Sequence, residues 1–536
     1  MNRPNILLLT TDQQRFDTIG AMGYSYMSTP HLDKLVEEGC CFSNAYSVNP
    51  ACIPARHSLL TGRFSKDHGM DDNYFDGARI MPRSLPTMAS ALSAAGYETI
   101  AVGKMHFQPA RNHNGFGRLE LMEEMPRFRE DDEYASYLKN AGFGEIQSIH
   151  GVRNLLYMLP QNPLQAEECC GTPWVADRVI HHLKTNKGKR PFFYWGSWIS
   201  PHAPLSIPKR FADLYREKKL PLPIPGDSNP KAITLENSRI GDYTTEEVAR
   251  RGREYYYGAI SWVDEQIGRI MQTLKDENLL ENTLVIFTSD HGELLGDHGS
   301  FHKFQHYEGS VHIPMILRWP EKLGKGQKRE EFVDLNDIFP TMLDAAGIDC
   351  LEKTSLPGAS LLDTSLSGRD RTIQYIEHSH GSKRWISLRD KRYKYVYFYS
   401  EGQDELYDLL EDPEERINIA DQDYCAEIRK NLRGQLLEME RRWGLPGCVK
   451  NDDFVACPPY QAKPRLPASF PIFPKNDCSG IPYFSLVKEI LLAIQNEPSV
   501  CIRNLSWRDW LEAGYFTQDQ MKTLLESEKL IERENT

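Results

Sequence analysis

No stretch of the 536-residue sequence approaches the roughly 20 consecutive apolar residues that a membrane-spanning helix needs, so no membrane partner is expected. An excess of positive charge is also missing. The chain has 63 Lys and Arg against 75 Asp and Glu, a net charge of −12, which argues against a general binder of nucleic acid or anionic lipid. Any anionic substrate must therefore be met by local cations. There is no internal repeat and no long biased tract, and with 40% hydrophobic and 26% charged residues the composition is that of an ordinary globular enzyme. The eleven cysteines, scattered from Cys40 to Cys501, lack metal-type spacing, and the adjacent pairs Cys40/Cys41 and Cys169/Cys170 do not form a disulfide framework; most are expected to be buried thiols. The opening MNRPNILLLTTD runs into a strand-like segment without a signal-peptide cleavage pattern. The expected location is cytoplasmic, with a trimmed periplasmic form as the alternative.

What is present is an alternation of apolar runs and helical patterns over the first 350 residues, the signature of an α/β sheet with helices on both faces, mixed but mainly parallel. Asn5 to Thr10 suits a central strand, and Thr29-Pro30 opens a helix that Gly39 closes. Leu85 to Ala95 before Glu98 to Val102, and Thr172-Pro173 to Lys184 before Pro191 to Ser197, repeat helix then strand. Thr244 and Glu247 read as a capping box ahead of a long helix whose stripe Tyr256, Ile260, Val263, Ile267, Ile270, Leu274 is core. That helix leads to a second buried strand, Thr283 to Ser289, ending in Asp290-His291-Gly292, as the first ends in Thr11-Asp12-Gln13. Ligand crevices in open α/β sheets lie outside the carboxyl ends of the strands, which is where both clusters stand. Residues 351–443 read as a smaller α+β domain of short strands, Thr372 to Glu377, Arg384 to Leu388, Tyr393 to Tyr399 and Glu405 to Leu409, followed by a helix near Asp421 to Arg442. Residues 444–536 form an extension: Pro446 to Pro482 carries eight prolines, too many for regular structure, and the last 50 residues turn helical. Trp507, Trp510, Leu511, Tyr515 and Phe516 make that tail too apolar to hang free, so it is expected to pack on the catalytic domain or a second subunit, and a homo-oligomer is admitted.

The most informative stretch is Ala51-Cys52-Ile53-Pro54-Ala55-Arg56-His57-Ser58-Leu59-Leu60-Thr61-Gly62-Arg63. Pro54 is placed to start a helix, so Cys52 falls at a helix N-terminus, where free N–H groups favour developing negative charge. The C-x-P-x-R core followed by x-S-L-L-T-G-R resembles the signature of the type I sulfatases of the alkaline phosphatase superfamily, whose cysteine is oxidised after translation to Cα-formylglycine. Ile53 stands where that family more often has a small residue. The resemblance covers about residues 3 to 440. Gly69 with Asn73, Asp337 to Thr341 and Glu405 to Leu409 belong to it as fold markers.

Two carboxylates at strand ends would repel each other unless a cation or a proton sits between them. Asp12, Gln13, Asp290 and His291 match the family's metal positions, where a divalent ion, usually calcium, sits beside the formylglycine. The first pair is usually Asp-Asp in the family, and Gln13 departs from it; a neutral amide oxygen still ligates calcium. Magnesium and manganese are the alternatives. Gly103-Lys104-Met105-His106 resembles the family's G-K-x-H, Pro201-His202-Ala203-Pro204 its P-H-x-P, and Lys303 its later lysine. By that resemblance Cys52, Arg56, Lys104, His106, His202 and Lys303 are the catalytic set, and the expected partners are a small-molecule or saccharide sulfate ester and a formylglycine-generating maturation enzyme. The implied activity is hydrolysis of an aryl or carbohydrate sulfate. The alternatives are a phosphonate monoester or phosphodiester hydrolase on the same fold, and a binding protein that is never matured; the intact reactive set argues against the latter.

Overall fold

The computed structural model describes residues 3–73, 79–126, 129–144, 146, 149–151, 162–186, 188–226, 246–349, 355–362 and 371–460. Eight strands form one sheet: β1 (Asn5–Asp12), β2 (Cys40–Tyr46), β3 (Glu98–Gly103), β4 (Arg118–Leu121), β5 (Phe192–Pro201), β6 (Thr283–Ser289), β7 (Met315–Arg318) and β8 (Gln327–Asp334), in the order β4-β3-β5-β1-β6-β7-β2-β8. Only β7 runs antiparallel to its neighbours, so the sheet is mixed and mainly parallel. β1 is central and all eight of its residues are buried, which is why it reads as a continuous apolar run rather than an alternation. Ile6 and Leu8 pack into the core on one face and Leu7 and Leu9 into the core on the other. At roughly 1.5–3 kcal/mol per fully buried aliphatic side chain, these four bind the sheet to both helical layers.

One layer is built around α1 (Pro30–Glu38), α4 (Gly171–Asn186) and α5 (Glu246–Asp276), the other around α2 (Cys52–Thr61), α3 (Met88–Ala94) and α6 (Ile338–Ala345). On α5 the stripe from Tyr256 to Leu274 is buried as its spacing requires, while the proposed cap at Thr244 lies outside the described residues. In register, Leu7 stands opposite Tyr194 on one side and Val285 on the other, which carries the ends of β5, β1 and β6 to the same edge of the sheet.

A second sheet, β9 (Gln374–His378), β10 (Trp385–Arg389), β11 (Tyr393–Phe398) and β12 (Asp404–Asp408), is antiparallel throughout and is covered by α7 (Ala426–Trp443). The extension begins with a feature its proline content did not suggest, a small hairpin of β13 (Val449–Lys450) and β14 (Asp453–Phe454). Asn451 and Asp452 between them have φ of 50° and 60°, the left-handed pair a two-residue turn needs. Phe454 is buried against Tyr397, so the extension starts out packed on the smaller sheet. The aromatic residues from Trp507 to Phe516 lie outside the described residues. Among the described residues no helix is long and apolar enough to cross a membrane.

Candidate active site and metal centre

Asp12 is the last residue of β1, and Asp290 follows the last residue of β6. Because β1 and β6 are parallel neighbours, both carboxylates emerge at the same edge, and the backbone N–H of Asp290 donates to Thr11 O at 3.3 Å. Gln13 turns the chain out of β1 with φ 67°, a left-handed conformation a non-glycine residue adopts at a cost, and its N–H donates to Asp290 Oδ1 at 3.1 Å. β3 contributes Lys104 through Gly103, whose φ is 99° and at which an added Cβ would lie 1.9 Å from Ser197 O of β5; only glycine permits that approach. β5 ends in Pro201 and hands on His202.

Cys52 is the first residue of α2, which is buried along its whole length and closed by Gly62 in the left-handed conformation. The cap residue, Ala51, has no side-chain acceptor; instead Asn73 Oδ1 accepts from Ile53 N at 3.0 Å. Asn73, expected only as a fold marker, thus holds the N-terminus of the nucleophile helix. Cys52 Sγ lies 3.1 Å from His291 Nε2, 3.2 Å from Lys303 Nζ and 3.8 Å from Asp12 Oδ1. Burial, and then the charge of Asp12, push its thiol up to about 12.

Arg56 is fully buried and ties the two strand ends together. Its Nε donates to Asp290 Oδ2 at 2.8 Å and Nη2 to Asp12 Oδ2 at 3.1 Å, while Nη1 donates to Lys104 O at 2.6 Å and Ser197 Oγ at 2.9 Å. Lys104 Nζ lies 2.7 Å from Asp12 Oδ2. Both cations thus use Oδ2 of Asp12, while Oδ1 of each aspartate lies 3.7 Å from His291 Nε2. Nδ1 of His291 faces Gly292 O at 3.0 Å, which leaves the Nε2 lone pair for the centre. One ligand atom from each of Asp12, Asp290, His291 and Cys52 falls within 4.8 Å of all the others, and all four residues are buried. Two carboxylates, an imidazole and a sulfur so enclosed fit a single divalent cation. Burial alone would raise the Asp12 carboxyl, but Lys104 first, and then Arg56, hold it well below the ordinary carboxylate range.

Lys303 Nζ donates to Gln13 Oε1 at 2.7 Å and lies 2.8 Å from His202 Nε2, while His202 Nδ1 faces Ala203 O at 2.6 Å. An Nδ1-protonated imidazole accepting from an ammonium satisfies both contacts. Burial, helped by Lys303 and Lys104 against the opposing charge of Glu124, pushes His202 well below its ordinary value and keeps it neutral; Lys303 is raised because Cys52 and Asp12 outweigh its burial. Gln13 enters the site with its amide oxygen on Lys303 and its amide nitrogen on Glu293. His106 stands one step back: its N–H donates to Glu123 Oε1 at 2.9 Å, and burial followed by the charge of Lys104 keeps its ring neutral.

All the residues named from sequence except His106 form one contact network. Two buried carboxylates of that network were not anticipated. Glu124 accepts from Lys104 Nζ at 2.5 Å and lies 3.5 Å from His202 Nδ1, and Glu293 takes the Gln13 amide. Both had a usable signal, an acidic residue shortly after a strand end, Leu121 for one and Ser289 for the other.

Nucleophile position, clustered carboxylates and three convergent cations make a centre for a tetrahedral anion, and the sulfatase family model matches residues 4–348. The chain belongs to the sulfatase family. A second model, described as N-sulphoglucosamine sulphohydrolase, C-terminal, matches residues 296–442. The arylsulfatase of Clostridium perfringens is 33% identical over 462 residues, covering 82% of this chain and 95% of that protein. The choline-sulfatase of Rhizobium meliloti is 27% identical over 440 residues, covering 78% and 83%. Among solved structures the phosphonate monoester hydrolase of Agrobacterium radiobacter matches with a TM-score of 0.70 at 26% identity, over 82% of this chain and 96% of that one. The sulfatase is thus a sulfuric ester hydrolase on the alkaline phosphatase superfamily fold.

Proposed function

We propose that the enzyme cleaves the sulfate monoester of an aryl or carbohydrate alcohol, with Cys52 matured to Cα-formylglycine by a separate maturation enzyme and one divalent ion held by Asp12, Asp290 and His291. The observation that carries this reading is the position of Cys52: first residue of a buried helix, grouped with the metal-type donors Asp12, Asp290 and His291 and 3.2 Å from Lys303, which pairs with His202. The ion supplies Lewis-acid polarisation of the sulfate. The two carboxylates suit calcium, with magnesium and manganese as the alternatives.

One hydroxyl of the hydrated aldehyde gives its proton to solvent, and its oxygen bonds to sulfur as the bond from sulfur to the ester oxygen breaks. The departing oxygen takes a proton from Lys303, whose ammonium is hydrogen-bonded to His202; that contact supports Lys303 as the acid and His202 as the group that aims it. Lys104 balances charge on the bound sulfate, and Arg56 holds both metal-site carboxylates in place. The second hydroxyl of the hydrate then gives its proton, relayed by solvent, to neutral His106, the carbonyl reforms, and the carbon–oxygen bond to sulfate breaks.

The second reading, phosphonate or phosphodiester hydrolysis, is favoured by the structural likeness to the Agrobacterium enzyme. Against it stands Lys104, a cation beside Asp12 where uncharged hydroxyl-bearing residues would serve a phosphonate. The test uses matured enzyme, verified by peptide mass spectrometry at position 52, and compares kcat/KM for an aryl sulfate and an aryl phosphonate sharing one leaving group. Sulfate is expected to be preferred, and Lys104→Ala to lower the sulfate rate by at least about 100-fold. Preference for the phosphonate, or sulfate kinetics unchanged by Lys104→Ala, would establish the second reading. A panel of aryl and carbohydrate sulfates then identifies the alcohol.

A further inference from the structure

Lys303 lies between two non-glycine residues in the left-handed region, His302 with φ 73° and Phe304 with φ 77°. Such conformations persist only where the surroundings over-determine them, and paired around a reactive side chain they mark a loop held in place from outside. One side of the grip is the catalytic domain: Leu294 N donates to His302 O at 2.8 Å and Phe304 N to Pro50 O at 3.2 Å. The other side is the smaller sheet. Trp385 Nε1, at the start of β10, donates to Phe304 O at 2.8 Å, and the Trp385 side chain is fully buried. Two residues further along the loop, His306 Nε2 lies 2.9 Å from Glu405 Oε2 of β12. The loop then ends at Glu308, whose N–H donates to Glu415 at 2.7 Å and whose carboxylate meets Arg389 at 2.9 Å and Lys394 at 3.2 Å. Burial would raise the Glu308 carboxyl, but Arg389 and Lys394 hold it well below its ordinary range, so this anchor stays charged.

We propose that Trp385 is a positioning residue for catalysis: with the Glu405 and Glu308 contacts it fixes the Phe301–Glu308 loop, so that the smaller domain sets where the Lys303 ammonium stands relative to Cys52 and the departing oxygen. The proposal rests on Lys303 serving the leaving group. It assigns the second sheet a task in the chemistry, although no residue of that sheet touches the reacting atoms. Hydrogen bonding from an indole N–H to a carbonyl whose own residue is strained is well suited to this, because the bond is directional and the ring cannot follow the loop if it relaxes.

The test is made on full-length, matured, metal-loaded enzyme with aryl sulfates whose phenols span a range of pKa. Trp385→Phe keeps the ring packing and removes the donor. It is expected to lower kcat roughly 10-fold, the scale of a sub-ångström misplacement of a reacting group, with KM changed by less than about twofold. The loss should grow as the phenol becomes a poorer leaving group, and in a Lys303→Ala background Trp385→Phe should change kcat by less than about twofold. A loss equal for all phenols would overturn the proposal, as would one that persists undiminished without Lys303. Lys303→Ala measured alone tests the underlying reading: a loss independent of the phenol would remove Lys303 as the acid, while the double variant still decides whether Trp385 acts through it. If Trp385→Phe does not fold, as judged by circular dichroism, Glu405→Gln releases the loop at His306 and is held to the same two criteria.

Discussion

Replacing Arg56 with methionine removes a cation that touches both metal-site carboxylates while leaving a side chain of similar length. With the guanidinium 2.8 Å from Asp290 and 3.1 Å from Asp12, gross attractions are about 5–6 kcal/mol each at an effective dielectric of about 20. Most of that is cancelled by the desolvation of a side chain buried this deeply, and breaking a buried pair costs about 3–5 kcal/mol net because the remaining charges stay buried without their partner. At about 2 °C per kcal/mol for a large domain, Tm in the presence of a chelator should fall by roughly 6–10 °C. A divalent ion stabilises both proteins, so the deficit changes only by RT ln of the ratio of their Kd values, about 1.4 kcal/mol per tenfold. Removing the Arg56 cation from beside the ion should tighten calcium or manganese binding in the variant, so the deficit should narrow at saturating metal. The assay is thermal unfolding of both proteins in chelator and in each metal. A deficit of the same size with and without metal would refute the reasoning, since Arg56 would then stabilise the fold independently of the Asp12–Asp290 pair; so would no deficit in chelator.

Asp290→Asn should weaken metal binding more than Gln13→Ala, because the first removes a formal charge from the centre and the second removes an amide whose oxygen already serves Lys303; the reverse order in a metal titration would show the ligand ranking to be wrong. Glu120 is held at about 2, its burial outweighed by hydrogen bonds from His182 and Arg178 that fasten β4 to α4. A depressed carboxyl contributes stability above its ordinary value and loses it as pH falls, so Glu120→Gln should flatten the loss of urea stability between about pH 4.5 and 2. An unchanged acid limb would count against that link.

The fold class and the acidic strand ends can be read from the sequence because they rest on short-range rules, while the remaining site residues are named from the resemblance to the sulfatases. A strand buried on both faces must be apolar throughout, as in Asn5 to Thr10, and an acidic residue directly after such a strand must stand at its carboxyl end. The segment from Cys52 to Gly62 announces its own helix, with proline in the first turn and glycine just past the last. What the local pattern cannot carry is partnership across the chain. That Arg56 meets Asp290 from 234 positions away, or Lys303 meets Gln13 from 290, depends on strand order, which the packing of whole layers decides. The same holds for Glu124, Glu293 and Asn73: a strand end flags the two glutamates, but their partners Lys104 and Gln13, and the Asn73 contact to Ile53, appear only in the folded chain. Trp385 is the extreme case. In sequence it is one aromatic residue at the start of a strand and reads as core, and only the docking of a second sheet against the Lys303 loop brings its N–H to the carbonyl of Phe304. Periodicity reports which side of an element is buried, whereas the identity of what it is buried against is settled only when the elements close on one another.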